Sequence, residues 1–175
     1  ALRVARAAPT RDDGLDLDLL LLLGAAQIRA GERARAMQTY SETADAARRT
    51  GRWTALVDAA ISAGDRGLGV TVMPADPEVE SLLEEALGGA PAGELGRRAR
   101  LRACLAAERS GAPGDREAPA LVLEAERDAR ALGDPATLGY VLSHRCFVPW
   151  RRYDPAPRDQ LAAEVVRLGR TLRDL

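Results

Sequence analysis

The chain has 175 residues, a formal net charge of −1 and 46% hydrophobic residues, enough for one ordinary domain or a short run of stacked helical hairpins. All 25 basic residues are arginine, so a Walker A P-loop, a Schiff base and a lysine general base are excluded. Acids and arginines are interspersed, which leaves no field of one sign to draw the whole domain onto DNA, and alanine, leucine, arginine and glutamate favour helix throughout.

Residues 1 to 8 read as the tail of a helix stopped by Pro9, and Arg11-Asp12-Asp13-Gly14 reads as a loop and N-terminal cap. Leu15 to Ala30 forms a helix that is apolar nearly all round, which predicts burial on every side. Its longest apolar run, Leu19 to Ala26, is too short to cross a bilayer, and with no signal peptide the expectation is a cytoplasmic protein. Gly31 ends this helix. Glu32 to Thr50 follows as an amphipathic partner with Ala36, Tyr40, Ala44 and Ala47 on one face, and the short connection predicts an antiparallel hairpin. Trp53 to Ala63 makes the next helix.

Gly64 to Pro77 is the one long irregular connection, and loops of that length are often functional. Glu78 to Leu87 resumes as helix until Gly88-Gly89-Ala90-Pro91 breaks it. Three more helices are expected at about 94–110, 116–132 and 135–148, and the last runs from Arg158 to the end. In that last helix Leu161, Val165, Leu168, Leu172 and Leu175 recur at i, i+4, i+7, i+11 and i+14, a single apolar stripe cut off without a cap. The stripe predicts either an excised piece of a longer protein or self-association with a second copy through Leu161, Val165, Leu168 and Leu172.

One phrase occurs twice. Ala46-Ala47-Arg48-Arg49-Thr50-Gly51-Arg52 and Asp128-Ala129-Arg130-Ala131-Leu132-Gly133-Asp134 each close an amphipathic helix, and their glycines lie 82 residues apart, two steps of 41. Punctuation at that interval points to stacked helical hairpins, a scaffold built for binding. The expected fold class is therefore all-α, with eight or nine helices stacked as antiparallel hairpins in a single domain spanning 1–175.

Leu15 to Gly51 resembles a tetratricopeptide repeat of the bacterial regulator type. The resemblance rests on Leu20, Leu23 and Gly24, on Gly31 in the turn, and on Ala36, Tyr40 and Ala44, where small residues let two helices approach and Tyr40 fills the groove. Residues 78 to 175 are similar to the C-terminal helical region of large ATP-dependent LuxR-family regulators of the STAND type. Glu84-Glu85-Ala86-Leu87, Arg98 to Leu105, Leu123 to Leu138, Phe147 to Trp150 and Leu161 to Leu172 carry that likeness. The two likenesses imply a right-handed superhelix that serves as a sensor or protein-interaction domain of a transcriptional regulator, relaying a ligand or partner to ATPase and DNA-binding domains outside this sequence. The alternative is a plain protein–protein scaffold with no small ligand.

Four of six aromatics, Tyr140, Phe147, Trp150 and Tyr153, crowd around the single histidine, His144. Tyr140, His144, Phe147, Trp150 and Arg151 make a candidate ligand pocket, in which rings stack on a small-molecule inducer and an arginine clamps it; the competing reading is a hydrophobic plug between hairpins. Arg98, Arg102 and Arg109 share a helix face, either a solvated face paired with nearby acids or a groove for an acidic peptide. Cys104 and Cys146 sit in apolar helical patterns and read as reduced, buried thiols. A histidine without a neighbouring nucleophile gives no triad, and the adjacent acid pairs give neither a glycosidase dyad nor a metal site. The expectation is a non-enzymatic module with no metal or cofactor, whose partner is a protein, a peptide or an inducer, with a homodimer through the last helix.

Overall fold

The computed structural model describes residues 13–65, 75–110, 117–146, 148 and 155–173, with backbone alone at 13–15 and 155–158. These residues are all-helical, with eight helices and no strand among them. In chain order they are α1 (Asp13–Arg29), α2 (Arg33–Thr50), α3 (Trp53–Gly64), α4 (Pro77–Gly89), α5 (Leu95–Arg109), α6 (Ala118–Leu132), α7 (Pro135–Arg145) and α8 (Pro155–Arg173). The chain divides into two compact units, Ala1–Asp65 and Arg66–Leu175. The helical tail expected at 1–8 and most of the long connection, residues 66–74, lie outside the described residues.

The helix ends follow local chemistry. Gly51 and Gly133, the glycines of the repeated phrase, both adopt left-handed backbone, with φ of 64° and 72°. That conformation costs glycine nothing and lets the chain leave the helix while its last carbonyls stay satisfied. The Arg52 N–H donates to the Ala47 carbonyl at 2.9 Å, and the Gly133 N–H to the Ala129 carbonyl at 3.2 Å. At the other end of α7, Asp134 accepts from the N–H groups of Ala136 and Thr137, and Pro135 fills a position where no N–H is needed. Asp76 and Pro77 begin α4 in the same way. The buried carboxylate of Glu108 also accepts the Asp76 N–H at 3.1 Å, which ties α5 to the start of α4.

In the first unit α1, α2 and α3 pack on one another in all three pairings. Ala36, Tyr40, Ala44 and Ala47 of α2 are buried, together with Val57, Ala60 and Ala63 of α3 and Leu17 of α1. Gly24 lies flat against Tyr40: a Cβ built there falls 2.3 Å from the ring. Thr39 donates its hydroxyl to the Gln27 carboxamide at 2.9 Å, a second tie between α1 and α2. The sequence-based expectation that α1 is buried on every side is corrected. Only one side packs; Leu22 remains 64% exposed and Leu23 39% exposed. Among the described residues α2 and α3 pack on α1, and two neighbouring helices cover one flank of a cylinder.

In the second unit α5 is the central helix, packed on α4, α6 and α7, while α8 packs on α7. Ala99 and Ala103 meet Ala125 and Ala129, with Val141 closing the cluster, so small side chains at four-residue spacing let α5 and α6 approach closely. Several boundaries differ from expectation, and α4 runs on through Gly88 and Gly89, where a break is expected. Helix α7 stops at Arg145 rather than 148, and Val148 tucks under Ala106, Ala118 and Val122. Helix α8 starts three residues early, at Pro155, because a proline is tolerated in the first turn of a helix.

The stripe on α8 has a cover within the chain. Leu168 is 7% exposed and sits against α7, where a Cβ on Gly139 would lie 3.9 Å from the Leu168 Cβ. Leu161 and Val165 are half-buried and Leu172 is exposed. The expectation that the stripe needs a cover from outside the chain is thereby corrected at Leu168, which packs against α7 beside Gly139. Among the described residues no helix is long and apolar enough to cross a membrane.

Candidate functional site

Of the aromatic cluster, the described members Tyr140 and His144 face α5. Tyr140 and His144, one turn apart on α7, stack with ring centroids 4.4 Å apart, and His144 is buried. The His144 Nδ1–H donates to the Tyr140 carbonyl at 3.0 Å, since a carbonyl oxygen only accepts, which leaves Nε2 on the other side of the ring. That nitrogen faces Cys104 of α5, whose Sγ lies 3.9 Å away and 3.0 Å from the Tyr140 hydroxyl. Arg100, one turn before Cys104, places its guanidinium 5.3 Å from the Tyr140 ring centroid and donates to the Thr137 hydroxyl at 3.3 Å. Its Nε is buried without a partner.

The structure therefore brings a thiol to the histidine, which sequence reasoning missed. The i, i+4 spacing of Arg100 and Cys104 puts both on one face of α5 and was a readable signal, but Cys104 was counted as one apolar position among many. Cys104 has no solvent-exposed surface, so nothing can approach its sulfur in this conformation. The cluster is a polar joint between α5 and α7. Phe147, Trp150 and Arg151, the other members of the expected pocket, lie outside the described residues.

Arg98, Arg102 and Arg109 are all engaged inside the second unit. Arg98 donates to the Ala90 and Leu87 carbonyls, at 2.7 and 3.4 Å, and closes the end of α4. Arg102 reaches the other way, to Asp128 at 2.5 Å and Glu124 at 3.4 Å on α6. Arg109 gathers Glu80 at 2.7 Å, Glu117 at 2.5 Å and Glu84. The hydrogen bond with Glu80 holds the Arg109 guanidinium above its ordinary pKa. These guanidinium groups hold helices together rather than line one groove.

An open groove of about 540 Å³ runs along α6, lined by Ala120, Leu123, Glu124, Glu126, Arg127 and Arg130, with Arg145 from the end of α7. Leu123 is 49% exposed and gives the groove an apolar floor with Ala120. The rim is built by an ion network. Buried Glu126 accepts from Arg130 at 2.9 Å and from Arg145, and Arg130 also forks onto Glu164 of α8 with both contacts at 3.0 Å. The Arg130 hydrogen bond holds the Glu164 carboxyl below its usual range, and Glu164 in return raises Arg130. Arg127 is exposed and meets no carboxylate among the described residues.

No group of three or more histidine, cysteine, aspartate and glutamate side chains able to hold a metal occurs among the described residues. The groove and the buried joint lie in the same unit, and only the groove opens to solvent. Comparison with protein-family models, with curated proteins and with solved structures gives no match to this chain.

Proposed function

We propose that this chain is a tetratricopeptide-like interaction module of a cytoplasmic bacterial transcriptional regulator, docking a protein partner along α6. In that reading its helical hairpins follow a right-handed superhelix, and partner binding is relayed to ATPase and DNA-binding domains elsewhere in the regulator. The contact of α1 with α3 and of α5 with α7, each across an intervening helix, supports the stacked-hairpin part. The observation that carries the interaction part is the open α6 groove, with exposed Leu123 on its floor and Arg127 on its rim. A small-molecule sensor calls for an enclosed cavity, whereas Tyr140 and His144 are spent on a filled joint with Cys104.

A peptide library displayed on phage and selected on the whole chain tests the reading. Selected peptides should carry an apolar anchor beside an acidic residue, and Leu123→Asp should abolish their binding because the anchor loses its apolar seat. Peptides that bind wild type and Leu123→Asp equally would overturn it.

A further inference from the structure

The outer face of α1 is the apolar surface that nothing in the proposed function uses. Asp18, Leu19, Leu22, Leu23, Ala26 and Arg29 fall on one side of this helix, opposite Leu17 and Gly24, which face its neighbours. Leu22 and Leu23 are the exposed leucines of that face, at 64% and 39%. Leu22 and Leu23, adjacent and left in water on one helix face, form an apolar patch that a second helix can cover.

The charges on this face say what fits it. Asp18 lies toward the N-terminal end and Arg29 at the C-terminal end, both exposed, and neither meets an opposite charge among the described residues. Eleven residues at the helical rise separate them by about 16 Å, with Leu22 between. A second α1 laid antiparallel sets Asp18 of each copy beside Arg29 of the other and leucine against leucine in the middle. Its helix dipole then also opposes the first. A parallel pairing instead sets Asp18 against Asp18 and Arg29 against Arg29.

We infer that the outer face of α1 docks a second copy of this chain through an antiparallel, two-fold helix pair with Leu22 and Leu23 next to its centre and Asp18–Arg29 pairs at its ends. Such an interface is isologous, so each residue is used twice. One helix face is smaller than a standard interface, which places the pair among concentration-dependent associations rather than obligate dimers.

Sedimentation equilibrium on the whole chain, over about a hundredfold range of concentration, reads this directly. Wild type should pass from monomer to dimer. Leu22→Glu, at an exposed helix position, should remain monomeric with an unchanged helical circular dichroism spectrum. Asp18→Arg alone should weaken the dimer at least tenfold, because it creates two like-charge contacts, and the double variant Asp18→Arg/Arg29→Asp should restore it. A monomer at every concentration would overturn the inference and give this face to another segment or another protein. A dimer that survives Leu22→Glu would place the interface elsewhere. A dimer lost in Leu22→Glu but not rescued by the double variant would overturn the antiparallel register.

Discussion

Replacing Gly24 by alanine tests how closely α1 and α2 approach. The added Cβ would fall 2.3, 2.7 and 2.9 Å from Cε1, Cζ and Cδ1 of Tyr40, where carbon atoms in contact sit about 3.5–4.0 Å apart. The ring cannot swing aside cheaply, because it is buried and its hydroxyl shares a hydrogen bond with Ser62. Alanine in a helix interior gains about 1 kcal/mol over glycine. Forcing a methyl group into a filled space costs about 1–3 kcal/mol, and contacts this short lie at the upper end. The net expectation is a loss of about 1–2 kcal/mol, or roughly 5–15 °C in the melting temperature of a unit of this size. Thermal denaturation followed by circular dichroism reads the shift. Gly169→Ala is the control, since a Cβ there meets nothing within 4 Å and the same substitution should stabilise α8. Shortening the partner as Tyr40→Leu should remove most of the Gly24→Ala penalty in a double-mutant cycle. If Gly24→Ala stabilises the protein as Gly169→Ala does, the close approach of α1 and α2 is wrong.

Two further outcomes follow from the second unit. Leu168→Asp should cost about 2–4 kcal/mol by placing a charge at a buried position against α7, and hydrogen exchange should show α8 losing protection while α5 and α6 keep theirs; unchanged exchange in α8 would mean the stripe is not docked on α7. Acid should weaken this unit in a defined way. Glu164 is lowered from 4.5 by the Arg130 hydrogen bond, and Asp134 from 3.8 by the Thr137 hydroxyl and N–H. A carboxyl depressed in the folded state contributes stability that is complete above those ordinary values and lost as pH falls through the folded ones. Urea midpoints should therefore drop below about pH 4.5, and Glu164→Gln with Asp134→Asn should flatten the drop; identical profiles would refute the two couplings.

Helix positions were legible because their punctuation is chemical and local. Asp134-Pro135 and the left-handed glycines at 51 and 133 act through backbone hydrogen bonds within a few residues. The approach of Gly24 to Tyr40 was legible too, since a residue without a side chain opposite a large ring admits few readings. What escaped the sequence depends on which helix lies beside which. The leucine run of α1 predicts burial, and the exposure of Leu22 and Leu23 depends on which helices lie beside α1, which the run itself does not contain. Leu168 of the α8 stripe is buried against α7, and no periodicity within α8 contains that neighbour. Cys104 meets His144 across 40 positions of chain, and Arg145 meets Glu126 across 19. The arginines of α5 were read as one face, whereas their length lets Arg98 and Arg109 reach α4 and its flank while Arg102 reaches α6.

Amide chemical shifts of the isotope-labelled chain, recorded as a selected peptide is added, test the central claim most directly. Binding along α6 predicts perturbations concentrated at Leu123, Arg127 and Arg130, with Tyr140 and His144 little changed. Perturbations centred on Tyr140, His144 and Cys104, with α6 unmoved, would contradict the account and return the binding site to the aromatic cluster.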